Sequence, residues 1–577
     1  MFSKNFEKWD TLTGWGVFFI ALIVYAITVE PTNSFWDAGE YIATSSKLQV
    51  GHPPGAPLLQ MIGAFFAMFA LDNTEVARMV NYVSGVSSAF TILFMFWTIT
   101  NLAQKLVYKK NEVMTNSKAI AVLGSGLVGA LAFTFSDSFW FNAVETEVYA
   151  SASLIMALLL WLGLRWTDDL ENPRGNRWLI LISFVVGLTF GIQFMGFLAI
   201  PSIGLLYYFK TYKKTTVKNF LIANVAVIAV LMLVYKFSLT YVLNLFGWSE
   251  VFFINTIGLP FNSGTIIMGL VFAAAFYFGL TYTRKNNYKT ANTIVLCMMF
   301  LFLGFSSWMM LPIRANAQVV INENNPEDAR ALLAYYNREQ YPGVDSPVYG
   351  AYYSSTFGDN GEDKDEAPKY EKDEKTGKYV IVNFYKDAVP GDDPRHMGIL
   401  PRMWSTQHAE NYMKYFGPLD FKIKQSNEEL RTAVKQVKEG YAKGEIDAEQ
   451  YIGFLRRFDQ YIEVEPPSVW QNIEYMVQFQ FGYMYWRYFM WNFSGKNNDL
   501  QGRYNGDGEW ISGFDFFDSM RIGSQDNLPD AVENDKSRNT YYLLPLILGI
   551  IGILFQVSKN PKQFWVLLIF FLFTGLA

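Results

Sequence analysis

The chain has 577 residues and a formal net charge of −5, with 51% hydrophobic, 17% aromatic and only 17% charged residues. Soluble proteins of this length carry about 25% charged residues; here the charges are fewer and gathered into blocks, and mean hydropathy is positive. The pattern points away from a soluble protein, the acidic balance gives no footing for nucleic acid, and the single cysteine, Cys297, excludes an intrachain disulfide.

A bilayer core requires about 17–25 apolar residues per helix. In chain order the candidate spans are 13–29, 79–101, 118–136, 147–164, 178–194, 196–210, 219–237, 264–283, 291–312, 541–556 and 563–577, about 11 in all. The first has no small-residue cleavage site after it and reads as a retained span. Segments 57–71 and 238–262 are short or interrupted by polar residues and read as amphipathic or re-entrant. Basic residues (Lys4, Lys8, Lys105, Lys109, Lys110, Arg165, Arg174, Arg177, Lys210, Lys213, Lys214, Lys218, Arg284, Lys285, Lys289, Lys559, Lys562) then fall on one side, which predicts a cytoplasmic N-terminus.

Three domains are expected: a transmembrane module over 1–313 with its first outer loop at 30–78, a mixed α+β extracytoplasmic domain over 314–540, and C-terminal transmembrane helices over 541–577. Within the outer domain, an acidic run spans Asp359 to Glu366, and KYEKDE and KYVIVNFY flank a hairpin turn at Thr376-Gly377. Ser426 and Glu429 have capping-box spacing ahead of a charged helical stretch. Residues 470–493 are dense in aromatics and suit a membrane interface. The chain stops inside an apolar run, so the natural polypeptide is expected to continue.

The outer loops hold the acids. Asp37 and Glu40 stand three apart, share a face on a helical turn, and are surrounded by Phe35, Trp36 and Tyr41; His52 follows in a Pro/Gly-rich exit. Asp137, Glu145 and Glu147 lie in the second loop. Acids at helix starts also serve the helix dipole, for about 0.3–1 kcal/mol each. Asp37 beside Trp36 and Phe35 is expected to be desolvated, as functional carboxylates are. Arg314 and Arg338, on the side where basic residues are disfavoured, can grip an anionic head group, or can snorkel and pair at the surface. GSGLVG (124–129) lies inside an apolar span and fits close helix packing better than dinucleotide binding. His52, His396 and His408 have no zinc-ligand spacing, and no metal site is expected.

Five stretches resemble one family: FWDAGEYIATSSKLQVGHPPGAP (35–57), WFNAVETEVYA (140–150), IRANAQVVINENNP (313–326), YYNREQY (335–341) and MYWRYFMWNFSGKNNDLQG (484–502). They are similar to the GT-C glycosyltransferases that include the transmembrane O-mannosyltransferases. The resemblance implies a GT-C-like polytopic α-helical fold in a bacterial inner membrane. It implies transfer of a sugar from a polyprenyl-phosphate donor to Ser/Thr hydroxyls of exported proteins, without a cofactor, at the periplasmic face. By that resemblance Asp37 is the catalytic base; Glu40, read from its place three residues on, can share a proton with it or hold the acceptor. Arg314, Arg338 and Arg487 take the donor phosphate, and Trp36, His52, Glu145, Glu147 and Asn492 contact substrate. Lys496 stands where the family pattern leads one to expect an arginine. Expected partners are the lipid-linked donor, an exported polypeptide, membrane lipids and the Sec export machinery. The rival readings are a polysaccharide polymerase or ligase, a lipid-linked-sugar transporter and a non-catalytic subunit; spans almost free of ionisable groups speak against transport.

Overall fold

The computed structural model describes residues 3–107, 114–212, 214–341, 348–357, 363–389, 391 and 393–575. Lys109, Lys110, Lys213 and the first part of the acidic run (359–362) lie outside the described residues. The chain divides into two units: Met1–Gln340 with Asp373–Tyr379 and Leu546–Ala577, and Tyr341–Lys372 with Val380–Pro545.

The first unit is helical. Its elements are α1 (Phe6–Ile27), α2 (Ala38–Ser46), α3 (Pro57–Ala67), α4 (Val76–Val107), α5 (Asn116–Thr134), α6 (Asp137–Ala143), α7 (Val148–Asp169), α8 (Arg177–Thr189), α9 (Ile200–Thr211), α10 (Val217–Tyr235), α11 (Val242–Asn255), α12 (Ser263–Lys285), α13 (Lys289–Phe305), α14 (Met310–Asn316) and α15 (Ala329–Asn337). Helices Leu544–Lys559 and Pro561–Gly575 follow at the C-terminal end. Among the described residues, eight helical stretches are long and apolar enough to cross a membrane: Phe6–Ile27, Val76–Val107, Asn116–Thr134, Val148–Asp169, Phe194–Thr211, Val217–Tyr235, Ser263–Lys285 and Lys289–Asn316. The other three expected spans coincide with the shorter apolar helices Arg177–Thr189, Leu544–Lys559 and Pro561–Gly575. At a rise of about 1.5 Å per residue, Arg177–Thr189 reaches roughly 20 Å and Leu544–Lys559 roughly 24 Å, short of a core about 30 Å thick. Helix α3 has 11 residues, too few to cross, as expected for 57–71.

Helix α4 is the centre of the N-terminal half and packs on α1, α5 and α7. Two glycines of GSGLVG serve that contact: a Cβ on Gly126 would sit 2.6 Å from Thr100 and 2.8 Å from Phe96, and one on Gly129 2.7 Å from Ile99, all on α4, whereas Gly124 faces open space. The main apolar core gathers side chains of α7, α8, α9, α13 and α14 around Trp308, whose indole donates to the Phe190 carbonyl at 2.7 Å.

The second unit is α+β. Its core is formed by helices Ala409–Phe416, Glu428–Ala442 and Ala448–Arg457 with the antiparallel pair Phe421–Ile423 and Ile462–Val464. Strands Lys369–Asp373 and Lys378–Asn383 form the expected hairpin, of which residues Asp373–Tyr379 count with the first unit. The cap before Glu428–Ala442 lies one residue later than expected. Asn427 accepts from the Leu430 amide at 2.7 Å, whereas Ser426 Oγ accepts from Arg431 Nε at 2.9 Å. The aromatic segment forms Val469–Tyr475, a π-helical stretch Met476–Trp486 and Arg487–Phe493.

Candidate active site

The loop between α1 and α2 is fastened to α4 by the side-chain amide of Asn81. Asn81, on α4 and 1% exposed, donates from Nδ2 to the carbonyls of Glu30 and Thr32, each at 2.8 Å. Its Oδ1 accepts from the Thr146 amide at 2.9 Å and the Thr146 hydroxyl at 2.5 Å. The Glu30 amide also donates to the Val144 carbonyl at 2.9 Å. One buried side chain thus fastens the first and second polar loops to the same helix.

Asp37 is the N-cap residue of α2 and Glu40 lies in its first turn. Beyond α2 the chain pairs with the segment after α14. Val50 donates to Ile321, Glu323 donates back to Val50, and Val50 bridges Asn322 in parallel. Arg314 closes the end of α2, donating from Nε to the Leu48 carbonyl at 2.5 Å and from Nη2 to the Lys47 carbonyl at 3.1 Å. The buried Tyr335 hydroxyl donates to the Gly51 carbonyl at 2.6 Å. Three of the five stretches quoted above for their family resemblance therefore build one loop, and a fourth, 140–150, joins it through Asn81.

These contacts deliver His52 to the acids. Glu40 receives the His52 main-chain amide at 2.6 Å on Oε1, and its Oε2 lies 2.8 Å from Nδ1. That bond directs Nε2 to Asp37 Oδ2, 3.8 Å away. Gly51 permits the approach, since a Cβ there would meet Glu40 Oε1 at 2.6 Å. The hydrogen bond to Glu40 holds the His52 imidazole above its ordinary range; burial opposes this, and the charges of Glu40, Asp37 and Glu323 reinforce it. Burial pushes Glu40 up, but the hydrogen bonds and charge of His52 outweigh it and leave Glu40 below the usual carboxylate range.

The second loop contrasts with this. Glu147, the N-cap residue of α7, is 9% exposed. Burial, followed by the negative charges of Asp37 and Glu145, pushes it up to about 7. Glu145 is raised as well, by burial and by the charge of Glu30. Glu323 is raised by burial and by Glu40. Among the described residues no lysine or arginine pairs with Asp37, Glu40, Glu145 or Glu147; the basic side chain beside these acids is His52.

Several sequence expectations land elsewhere. The Asp37 side chain is 57% exposed, and Phe35 and Trp36 stand 88% and 94% exposed, so no apolar wall covers this acid. Trp36 has φ 64°, which turns the chain outward immediately before Asp37. The desolvated carboxylate is Glu147. Arg314 spends two donors on helix-end carbonyls, and Arg338 is the exposed left-handed cap of α15. Arg487 and Asn492 belong to the second unit, where Asn492 Nδ2 donates to Tyr488 within its own helix at 3.1 Å. Asn81, Tyr335 and Glu323 were missed as site builders. The available signal for Asn81 was an amide alone in an apolar run, where a polar side chain demands partners.

The fold and site define a helical multi-span membrane protein whose first two loops bring carboxylates and a histidine together. Residues 37–216 match the N-terminal domain of the protein O-mannosyl-transferase TMEM260, so over this segment the chain resembles a membrane O-mannosyltransferase-like family. It is 30% identical over 184 residues to "Protein O-mannosyl-transferase tmem260" of Dictyostelium discoideum, covering 30% of this chain and 20% of that protein. It is 25% identical over 174 residues to "Protein O-mannosyl-transferase TMEM260" of Mus musculus, covering 30% and 22%. The match thus spans about a fifth of these relatives. Residues 343–477 match a family of unknown function, DUF8416, and no solved structure matches the chain.

Proposed function

We propose that the chain is a membrane-embedded protein O-glycosyltransferase, moving mannose or a similar sugar from a polyprenyl-phosphate donor to Ser/Thr hydroxyls of exported polypeptides. The observation that carries the reading is the Glu40–His52–Asp37 arrangement, at the start of the segment shared with the O-mannosyl-transferase relatives. A base for an acceptor hydroxyl must be reachable, and Asp37 is open to an incoming side chain. In the step proposed, the hydroxyl oxygen attacks the anomeric carbon and its proton passes to the Asp37 carboxylate. The bond from that carbon to the phosphate oxygen breaks, and the electron pair leaves with the polyprenyl phosphate. Attack opposite the leaving group inverts the anomeric centre. Glu40 then acts as the anchor of His52, whose ring stabilises negative charge at Asp37.

A second reading has an observation of its own. Glu147, held up to about 7, is matched to general-base work at neutral pH. The test is purified full-length chain in nanodiscs with mannosyl-phosphoryl-polyprenol and a Ser/Thr-rich peptide, read by intact mass. D37N is expected to leave the peptide unmodified. Hexose addition at the wild-type rate by D37N, with loss in E147Q, would transfer the role to Glu147; no addition by the wild type would remove the reading altogether.

A further inference from the structure

Tyr379 closes the segment Asp373–Tyr379, which packs with the first unit, and it is 3% exposed. Its main chain exchanges two hydrogen bonds with one side chain of α11. Asn255 donates from Nδ2 to the Tyr379 carbonyl at 2.8 Å and accepts the Tyr379 amide on Oδ1 at 2.9 Å. The Asn255 amide thus stands in for a neighbouring strand. Phe261 meets the Tyr379 ring edge-on at 5.4 Å. So held, Tyr379 delivers its hydroxyl to Asp328 Oδ2 at 2.9 Å.

Asp328 is the N-cap of α15, and its two oxygens have separate tasks. Oδ1 accepts from the Arg330 and Ala331 amides at 2.8 and 2.9 Å, while Oδ2 takes the Tyr379 hydroxyl. Asp328 is buried, and a buried acceptor deprived of its donor is costly, so this bond fixes the orientation of the cap. Helix α15 also lies close on α11: a Cβ on Gly247 would meet Arg330 Cδ at 3.2 Å and Leu333 Cδ2 at 3.4 Å. Tyr379, bonded to Asn255 and Asp328, ties the two helices together where α15 begins.

Two turns along, α15 grips a single peptide group. The Tyr335 hydroxyl donates to the Gly51 carbonyl at 2.6 Å, and the amide of that same peptide, His52 N–H, donates to Glu40 Oε1 at 2.6 Å. A hydrogen bond received at the carbonyl polarises the peptide and strengthens the bond its amide gives. The phenol sits inside the turn, because a Cβ on Gly55 would meet its oxygen at 2.6 Å. Around the imidazole stand Glu40, Asp37, Glu323 and the Tyr41 ring. A small rotation of α15 would withdraw the Tyr335 hydroxyl and slacken the hold of Glu40 on His52. We infer that Tyr379 is a positioning residue for His52, acting through Asp328, α15 and the Tyr335 hydroxyl. Its effect on sugar transfer rests on the function proposed above; its effect on the imidazole does not.

The test is an NMR titration of the full-length chain in nanodiscs, labelled at its three histidines, with H52Q assigning the His52 signal. Y379F keeps the ring and the exchange with Asn255 and removes only the bond to Asp328. The hydrogen bond to Glu40 is what raises His52, so Y379F is expected to move its midpoint toward acid by about half a pH unit. Y335F should move it at least as far, and Y379F added to Y335F no further. A midpoint unmoved by Y379F would overturn the inference. So would equal shifts in both backgrounds, the mark of a general loosening of the fold. In the transfer assay Y379F should lower kcat several-fold at unchanged KM; a raised KM with kcat held would put Tyr379 at the substrate instead and overturn the positioning role. A wild type that transfers no sugar, with His52 shifting as expected, would remove the reaction and leave the positioning role standing.

Discussion

The first and second polar loops carry the same kinds of residue in opposite surroundings. Asp37 is more than half exposed and faces a histidine that a second acid orients. Glu147 is nearly covered, has no cationic partner among the described residues, and feels both Asp37 and Glu145. The lesson is that a carboxylate's role follows from its neighbours more than from its place beside aromatic residues in the sequence. One loop favours a charged acid; the other favours a protonated one near neutrality.

That contrast can be broken most sharply by activity. D37N is expected to lower sugar transfer by about 100-fold or more, the range for removing a general base, and E147Q by much less; mass spectrometry of the acceptor peptide distinguishes them. Next in size is E40Q, expected to cost roughly tenfold, the low end of such effects. Without the hydrogen bond that raises it, His52 loses its proton at lower pH. The alkaline limb of the pH–rate profile should then move toward acid, and an unmoved limb would detach His52 from the reaction. N81A should leave the buried Thr146 amide and hydroxyl and the part-buried Glu30 and Thr32 carbonyls without this partner and destabilise the protein by about 1–3 kcal/mol, read by thermal unfolding in detergent. The smallest effect belongs to E147Q on stability. Because Glu147 binds its proton more tightly folded than unfolded, the wild type loses stability as pH rises from about 4.5 to about 7. E147Q should therefore gain little at pH 4.5 and most at pH 8; a gain independent of pH would contradict the burial assigned to Glu147.

The spans were the legible part of the sequence, because a bilayer reads average hydropathy over a whole helix. Segments 79–101 and 264–283 fall inside α4 and α12 with little displacement. Segment 178–194 passed the same reading, yet its helix ends early, at Thr189 before the chain turns at Gly191, and the helix over 541–556 is shifted three residues along, to Leu544–Lys559. Side-chain environment was much less legible. The turn at Trp36 reverses which residues are covered, and Arg314 meets carbonyls contributed from 266 residues away. Ser426 lost the cap to Asn427 by one position, a choice between two suitable oxygens that local spacing does not decide. Of the site residues expected, Asp37, Glu40 and His52 come together with Glu147 within electrostatic reach, because all descend from loops pinned by Asn81 or the Val50 bridge.

Gly51 has an outsized consequence for proton traffic. Its missing side chain leaves the gap through which Glu40 reaches the ring of the next residue. A single methyl at this position would unseat that acid and free the imidazole to rotate, altering the chemistry of Asp37 from a position that never touches it. The loop's control element is a void.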